Sequence, residues 1–117
     1  MSIRIRHLRV RIKELASEAK HIRHEENQCS GMEKHELQQH RKTVVRSAAR
    51  NYQLAYACLR GRPYAQVERV VKRQPPWNEI TRIVSRFSNM HMSVATKQVD
   101  AWRKGETTVE DKMEIAA

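Results

Sequence analysis

Turn-forming residues are scarce in these 117 residues, with three glycines and three prolines. That is about half or less of the usual combined share of about 12 %. A chain with so few breaks has long elements and few connections, which here means helices. Two cysteines, Cys29 and Cys58, are too few for a disulfide framework or a four-thiolate metal site. Both are expected to be reduced, in a cytoplasmic setting. Aspartate occurs only at Asp100 and Asp111, which starves a magnesium-dependent nuclease site of its usual ligands. There is no glycine-rich phosphate loop, no nucleophile motif and no isolated carboxylate pair, so an enzyme is not expected.

Long apolar runs are missing too. No stretch approaches the roughly 18 residues of a membrane span. The opening "SIRIRHLRVRI" interrupts its apolar residues with arginine and carries no secretory signal. As a surface-lying amphipathic helix, residues 3–15 lack the Trp or Phe anchors that such helices favour. No membrane partner is expected.

What the chain has in excess is positive charge. Lys and Arg number 23 against 13 Asp and Glu, a net of +10. A surplus of that size attracts polyanions and steers their approach. It is uneven: residues 1–88 hold 19 basic and 8 acidic side chains, residues 89–117 only 4 and 5.

Hydrophobic spacing supplies the architecture. Ile5, Leu8, Ile12, Leu15, Ala19 and Ile22 follow at intervals of 3, 4, 3, 4 and 3, a heptad seam predicting one helix over residues 3–27. Such a short seam needs a partner, either a second helix of the chain or a second copy. "NQCSG" then breaks the chain, and Ser30 with Glu33 forms a capping box. The next helix is expected to bury Leu37, Val44, Ala48, Tyr52, Ala55 and Leu59 and to stop at Gly61. A shorter helix runs from Pro63 to Arg73, burying Tyr64, Val67, Val70 and Val71, and Pro75-Pro76 ends it. A fourth helix carries Trp77, Ile80, Ile83, Val84 and Phe87. "SNMHMS" reads as a loop, a fifth helix reaches Lys104, and Thr107 with Glu110 caps a last short helix carrying Val109 and Met113. The expected fold is all-α, a single domain over residues 1–117. A long antiparallel hairpin (3–60) packs against three or four shorter helices (63–88, then 93–116).

Two groups of cations stand out as candidate binding residues. Arg4, Arg6, Arg9, Arg11 and Lys13 place five charges in ten residues with no acid between them. Lys42, Arg46 and Arg50 recur every four residues along the second helix. Regular guanidinium groups suit a phosphate backbone. The bland reading, a solvated helix face, calls for mixed charges of the kind seen in "KELASEAKHIRHEE". The six histidines form no metal motif: His35 and His40 are five apart and point to different sides of a helix. A hairpin tip joining Cys29 to His24 and His35 is conceivable, but solvated histidines beside a loop are the expected case.

The stretch "QVDAWRKGETT…MEIA" resembles the end of a lambda-repressor-like helix-turn-helix. The likeness covers residues 80–116. In that family a recognition helix ends in a Trp shortly before a glycine, and a short capped helix follows. The resemblance implies that Lys97, Gln98, Arg103 and Lys104 reach DNA, with Gln98 able to pair with an adenine edge. The chain departs from the family at the turn, where "SNMHMSVA" is longer and lacks the glycine. If Ala95, Val99 and Trp102 face the core, Ser93, Lys97, Asp100 and Lys104 face outward.

The expected function is therefore non-enzymatic binding of DNA or structured RNA, mainly through the phosphate backbone, with no cofactor and no metal. Arg4, Arg6, Arg9, Arg11, Lys42, Arg46 and Arg50 are the candidate positioning residues. The alternative is a small accessory protein of the phage or mobile-element type, whose basic face meets an acidic host protein. A homodimer through the first helix's seam is compatible with either.

Overall fold

The computed structural model describes residues 3–69, 71 and 74–105. The first helix, α1, is Ile3–Gln28, about 39 Å long at about 1.5 Å per residue. Its heptad seam is real: Ile5, Leu8, Leu15 and Ile22 are buried, with Ile12 and Ala19 packed beside them. The chain reverses at Cys29-Ser30 and returns as α2 (Gly31–His40), a π-helical turn (Arg41–Val45) and α3 (Arg46–Leu59). Both limbs of the hairpin thus lie in one chain. Of the two partners that the seam allowed, it meets the second helix of its own chain, packing against α2 and α3.

The capping box expected at Ser30 is not formed. Gly31 takes a left-handed conformation (φ 64°) between Ser30 and the first helical turn, and the Ser30 side chain makes no capping hydrogen bond. At the far end the glycine stop holds. Gly61 (φ 72°) allows Gly61 N to donate to Cys58 O and Arg62 N to Ala57 O at 3.0 Å, the two bonds of a Schellman motif.

The second limb differs from expectation in phase. Val44, expected inside, is 54 % exposed, and Val45 is 2 % exposed in its place. The seam runs Leu37, Arg41, Val45, Ala48, Tyr52, with two consecutive steps of four. Each such step drifts the contact line by about 40° on a regular α-helix. The widened i→i+5 turn at Arg41–Val45 absorbs the accumulated rotation.

The reason for the irregular step is Arg41. It is a core residue (7 % exposed), and Glu26 of α1 faces it (3 % exposed). Arg41 Nε donates to Glu26 Oε2 at 2.6 Å and its Nη2 to Oε1 at 3.1 Å. The bond from Arg41 holds the Glu26 carboxyl below its ordinary pKa, and the bond to Glu26 holds the guanidinium above its own. This fork closes the hairpin tip.

Three shorter helices cover the other end: α4 (Tyr64–Glu68), α5 (Trp77–Ser88) and α6 (Met92–Arg103). The helix expected from Pro63 to Arg73 ends at Glu68, before the β-branched pair Val70-Val71. Val71 follows in a turn, its N donating to Glu68 O at 3.1 Å. Residues 70, 72 and 73 lie outside the described residues. So does the capped helix expected from Thr107 through Glu110, Val109 and Met113.

The core of this end joins Ile5 and Leu8 to Leu54, Ala55, Cys58 and Leu59 of α3, Ile80 and Val84 of α5, and Ala95, Val99 and Trp102 of α6. Trp102 meets Tyr64 and Trp77 edge-on, with centroids 5.0 and 6.3 Å away, and Tyr64 and Trp77 are tilted to each other at 5.8 Å. The Trp102 indole N–H donates to Arg62 O at 2.5 Å. The fold is all-α, and no helix among the described residues is long and apolar enough to cross a membrane.

Candidate functional site

The five-cation cluster at the start of α1 is not one patch. At about 100° per residue, Arg6, Arg9, Lys13 and Lys20 fall within about 60° of one another, while Glu14, Glu18 and Glu25 lie about 130° away. Arg4 and Arg11 fall toward the acidic flank. There Arg11 Nη1 donates to Glu14 Oε2 at 3.1 Å, both side chains about half exposed. Arg4 Nη1 donates to Arg86 O at 3.1 Å. A surface pair such as Arg11–Glu14 contributes little stability, but it compensates the cation.

The other flank is acid-free and faces a groove. Arg9 and Lys13 of α1, Arg50 of α3 and Arg62 of the α3–α4 loop stand around a hollow of about 560 Å³. Its floor is apolar, built from Ile12, Leu54, Ala57, Val67 and Val71, with Tyr56 beside them. Gln53 and Gln66 complete the wall, and no carboxylate among the described residues lines it. Arg6 joins Arg9 and Lys13 around an adjoining hollow. Arg50 continues the wall toward Pro75 and Pro76. Four cations around a low-dielectric concavity focus positive potential into it.

Arg62 is held more firmly than its loop position suggests. Its N–H is tied to Ala57 O and its carbonyl to Trp102. Its guanidinium lies 5.9 Å from the centre of the Tyr56 ring, within reach of a cation–π contact.

Of the seven positioning candidates, the structure brings Arg9 and Arg50 together on the groove and places Arg6 next to them. Arg46 is exposed one turn before Arg50 on the same face of α3. Lys42 is exposed within the π turn. Arg4 and Arg11 belong to the opposite, mixed-charge flank. Lys13, grouped with the α1 cations but not carried among the positioning residues, lines the groove, and Arg62 was missed. A helical projection places Lys13 beside Arg6 and Arg9. Arg62 had no local signal, because its place depends on the chain folding back over Trp102.

The candidate base readers are scattered. Gln98 is only 5 % exposed and its amide points to Cys58 Sγ at 4.0 Å. The expectation that it pairs with a base is therefore overturned: Gln98 is buried and faces Cys58 of α3. Arg103 lies over the Trp77 ring, 4.3 Å from its centre, and is 3.9 Å from Asp100. Lys97 and Lys104 are exposed. The connection before α6 is also shorter than expected. Only Asn89–His91 separate α5 from α6, because Asn89 takes the left-handed conformation (φ 57°) in place of a glycine. His91 Nδ1 accepts from Ser93 N at 3.2 Å and so caps α6.

At the hairpin tip His24 lies 3.2 Å from Gln28 Nε2, and no cluster among the described residues could hold a metal ion. Burial, followed by the charges of Glu33 and Glu25, pushes the Cys29 thiol pKa up, which favours the unreactive thiol. Neither a family model, nor a curated protein, nor a solved structure matches the chain.

Proposed function

We propose that this chain is a non-enzymatic nucleic-acid-binding protein that grips the phosphate backbone of DNA or structured RNA. One observation carries the reading: the hairpin sorts its charges, leaving Arg6, Arg9, Lys13, Arg50 and Arg62 on an acid-free side while Glu14 and its neighbours take the other. An evenly solvated helix would not need that separation. Backbone contact fits better than base reading, because Gln98 is inside and Arg103 is engaged with Trp77.

The test is fluorescence anisotropy with labelled duplex DNA, duplex RNA and single strands. About five phosphate contacts predict a log–log salt slope of about −4.5, at about −0.9 per contact. Replacing Arg9, Lys13 and Arg50 together by Ala should flatten the slope by about 2.7. Replacing Arg4 and Arg11 should leave it nearly unchanged. Equal losses from the two variants would remove the acid-free flank from the reading.

A second reading is favoured by the apolar floor of Ile12, Leu54, Val67 and Val71, which a phosphate backbone does not use. The groove would then take an acidic protein surface, as expected of an accessory protein that blocks a host factor. Absence of binding to any polymer, together with a partner complex that resists salt, would favour it.

A further inference from the structure

We propose that the groove has an occupant within the chain itself: the acidic segment of residues 106–117. The inference rests on the groove being a polyanion site, and it adds a competitor for that site. The segment's sequence, "ETTVEDKMEIAA", holds Glu106, Glu110, Asp111 and Glu114 against the single Lys112. Its net charge of −3 stands against the +10 of the whole chain. Val109 and Met113 stand four apart in it, the spacing that places two apolar side chains on one side of a helical turn. The groove offers the complementary set: Arg9, Lys13, Arg50 and Arg62 above an apolar floor that includes Val67 and Val71.

The tether begins next to the site. The Trp102 ring donates to the carbonyl of Arg62, a groove residue, at 2.5 Å. Gly105, within a turn of Trp102, closes α6 with its N–H on Trp102 O at 3.0 Å and a left-handed backbone (φ 84°). The described chain thus ends three residues past Trp102, whose ring is bonded to a groove residue, and twelve further residues reach up to about 40 Å when extended. Proximity multiplies a weak contact. A short tether holds its segment at an effective concentration of about 1 mM, so an intrinsic Kd of about 0.1 mM would fill the groove about ten times out of eleven. A nucleic acid must displace the segment, and its apparent affinity falls about tenfold.

Two measurements on the full chain test this. Carbodiimide coupling at low salt should join the Lys13 amine to a carboxylate of Glu106, Glu110, Asp111 or Glu114. The linked peptides would be identified by mass spectrometry of the monomer band. This needs no nucleic acid. Absence of any such link overturns the inference. In the second measurement, the variant Glu106→Gln, Glu110→Gln, Asp111→Asn, Glu114→Gln should bind duplex DNA about tenfold more tightly than the parent. Unchanged affinity in a parent that does bind also overturns it. If the link forms and neither chain binds any polymer, the docked segment stands and the nucleic-acid reading fails.

Discussion

The two ends of the hairpin solve the same problem with different means. At the base, α1 and α3 are covered by α5 and α6, and Leu8, Ile80, Val84, Val99 and Trp102 are fully or almost fully enclosed. At the tip only two helices meet, and the buried set shrinks to Leu15, Ile22 and Val45, with Ala19, Leu37, Ala48 and Ala49 half covered. Two helices without a third layer cannot enclose a large side chain on every side. The tip instead uses a forked ion pair between Glu26 and Arg41, whose geometry accepts one register. Such a pair adds little net stability over an apolar pair, but it penalises misalignment, because a shifted register would bury an unpaired charge. The base therefore supplies cohesion, and the tip supplies alignment.

Substitutions should separate these roles. The largest effect is expected from Trp102→Ala, which empties the centre of the base and removes the N–H that fixes Arg62. A loss of about 3–5 kcal/mol is expected, read as a lowered urea midpoint for the whole molecule. A loss confined to α6 would show that the base is not one cooperative unit.

Next in size is Glu26→Gln, which leaves the Arg41 guanidinium buried without its counter-charge. Amide exchange should quicken across residues 20–45 while base amides such as those of α5 keep their protection. The parent chain should show the same opening in acid. Glu26 has a lowered pKa in the folded state, so its contribution is complete above the ordinary glutamate value. It is lost as the pH falls through the lower folded value. Protection across the tip, taken against the intrinsic exchange rate at each pH, should therefore stay high at neutral pH and fall only in acid. A tip that opens at neutral pH would contradict the pairing.

The smallest effects distinguish neighbours. Val45→Ala should cost about 1.5 kcal/mol, from two methyl-sized groups at about 0.8 each. Val44→Ala should change stability by less than about 0.5 kcal/mol. Equal costs would mean that the π turn does not set the phase.

Most of the fold was legible from spacing and from the few turn residues. The α1 seam, the stop at Gly61 and the helix of Trp77, Ile80 and Val84 all rest on local patterns. The tip was not legible, since Arg41 looks like one more surface cation until Glu26 is seen across from it. Val44 and Val45 are interchangeable to a heptad count, and a buried arginine decides between them. The candidate site was half legible. Counting cations along the chain drew attention to α1 but grouped Arg4 and Arg11 with Arg9, which the helix places on a different flank. Gln98 was misread for a related reason: a polar residue on the edge of an apolar stripe faces inward when the fold buries that edge.

The widened turn at Arg41–Val45 also bears on how this chain tolerates changes of length. Elsewhere in the returning limb, losing one residue would rotate everything beyond it by about 100° and turn the seam away from α1. Here a single deletion, of Thr43 or Val44, would convert the wide turn into an ordinary one. Leu37 and Arg41 on one side and Val45 and Ala48 on the other would still face the same way. The limb carries one spare residue, and its location marks where a single deletion would leave the helix pair in register.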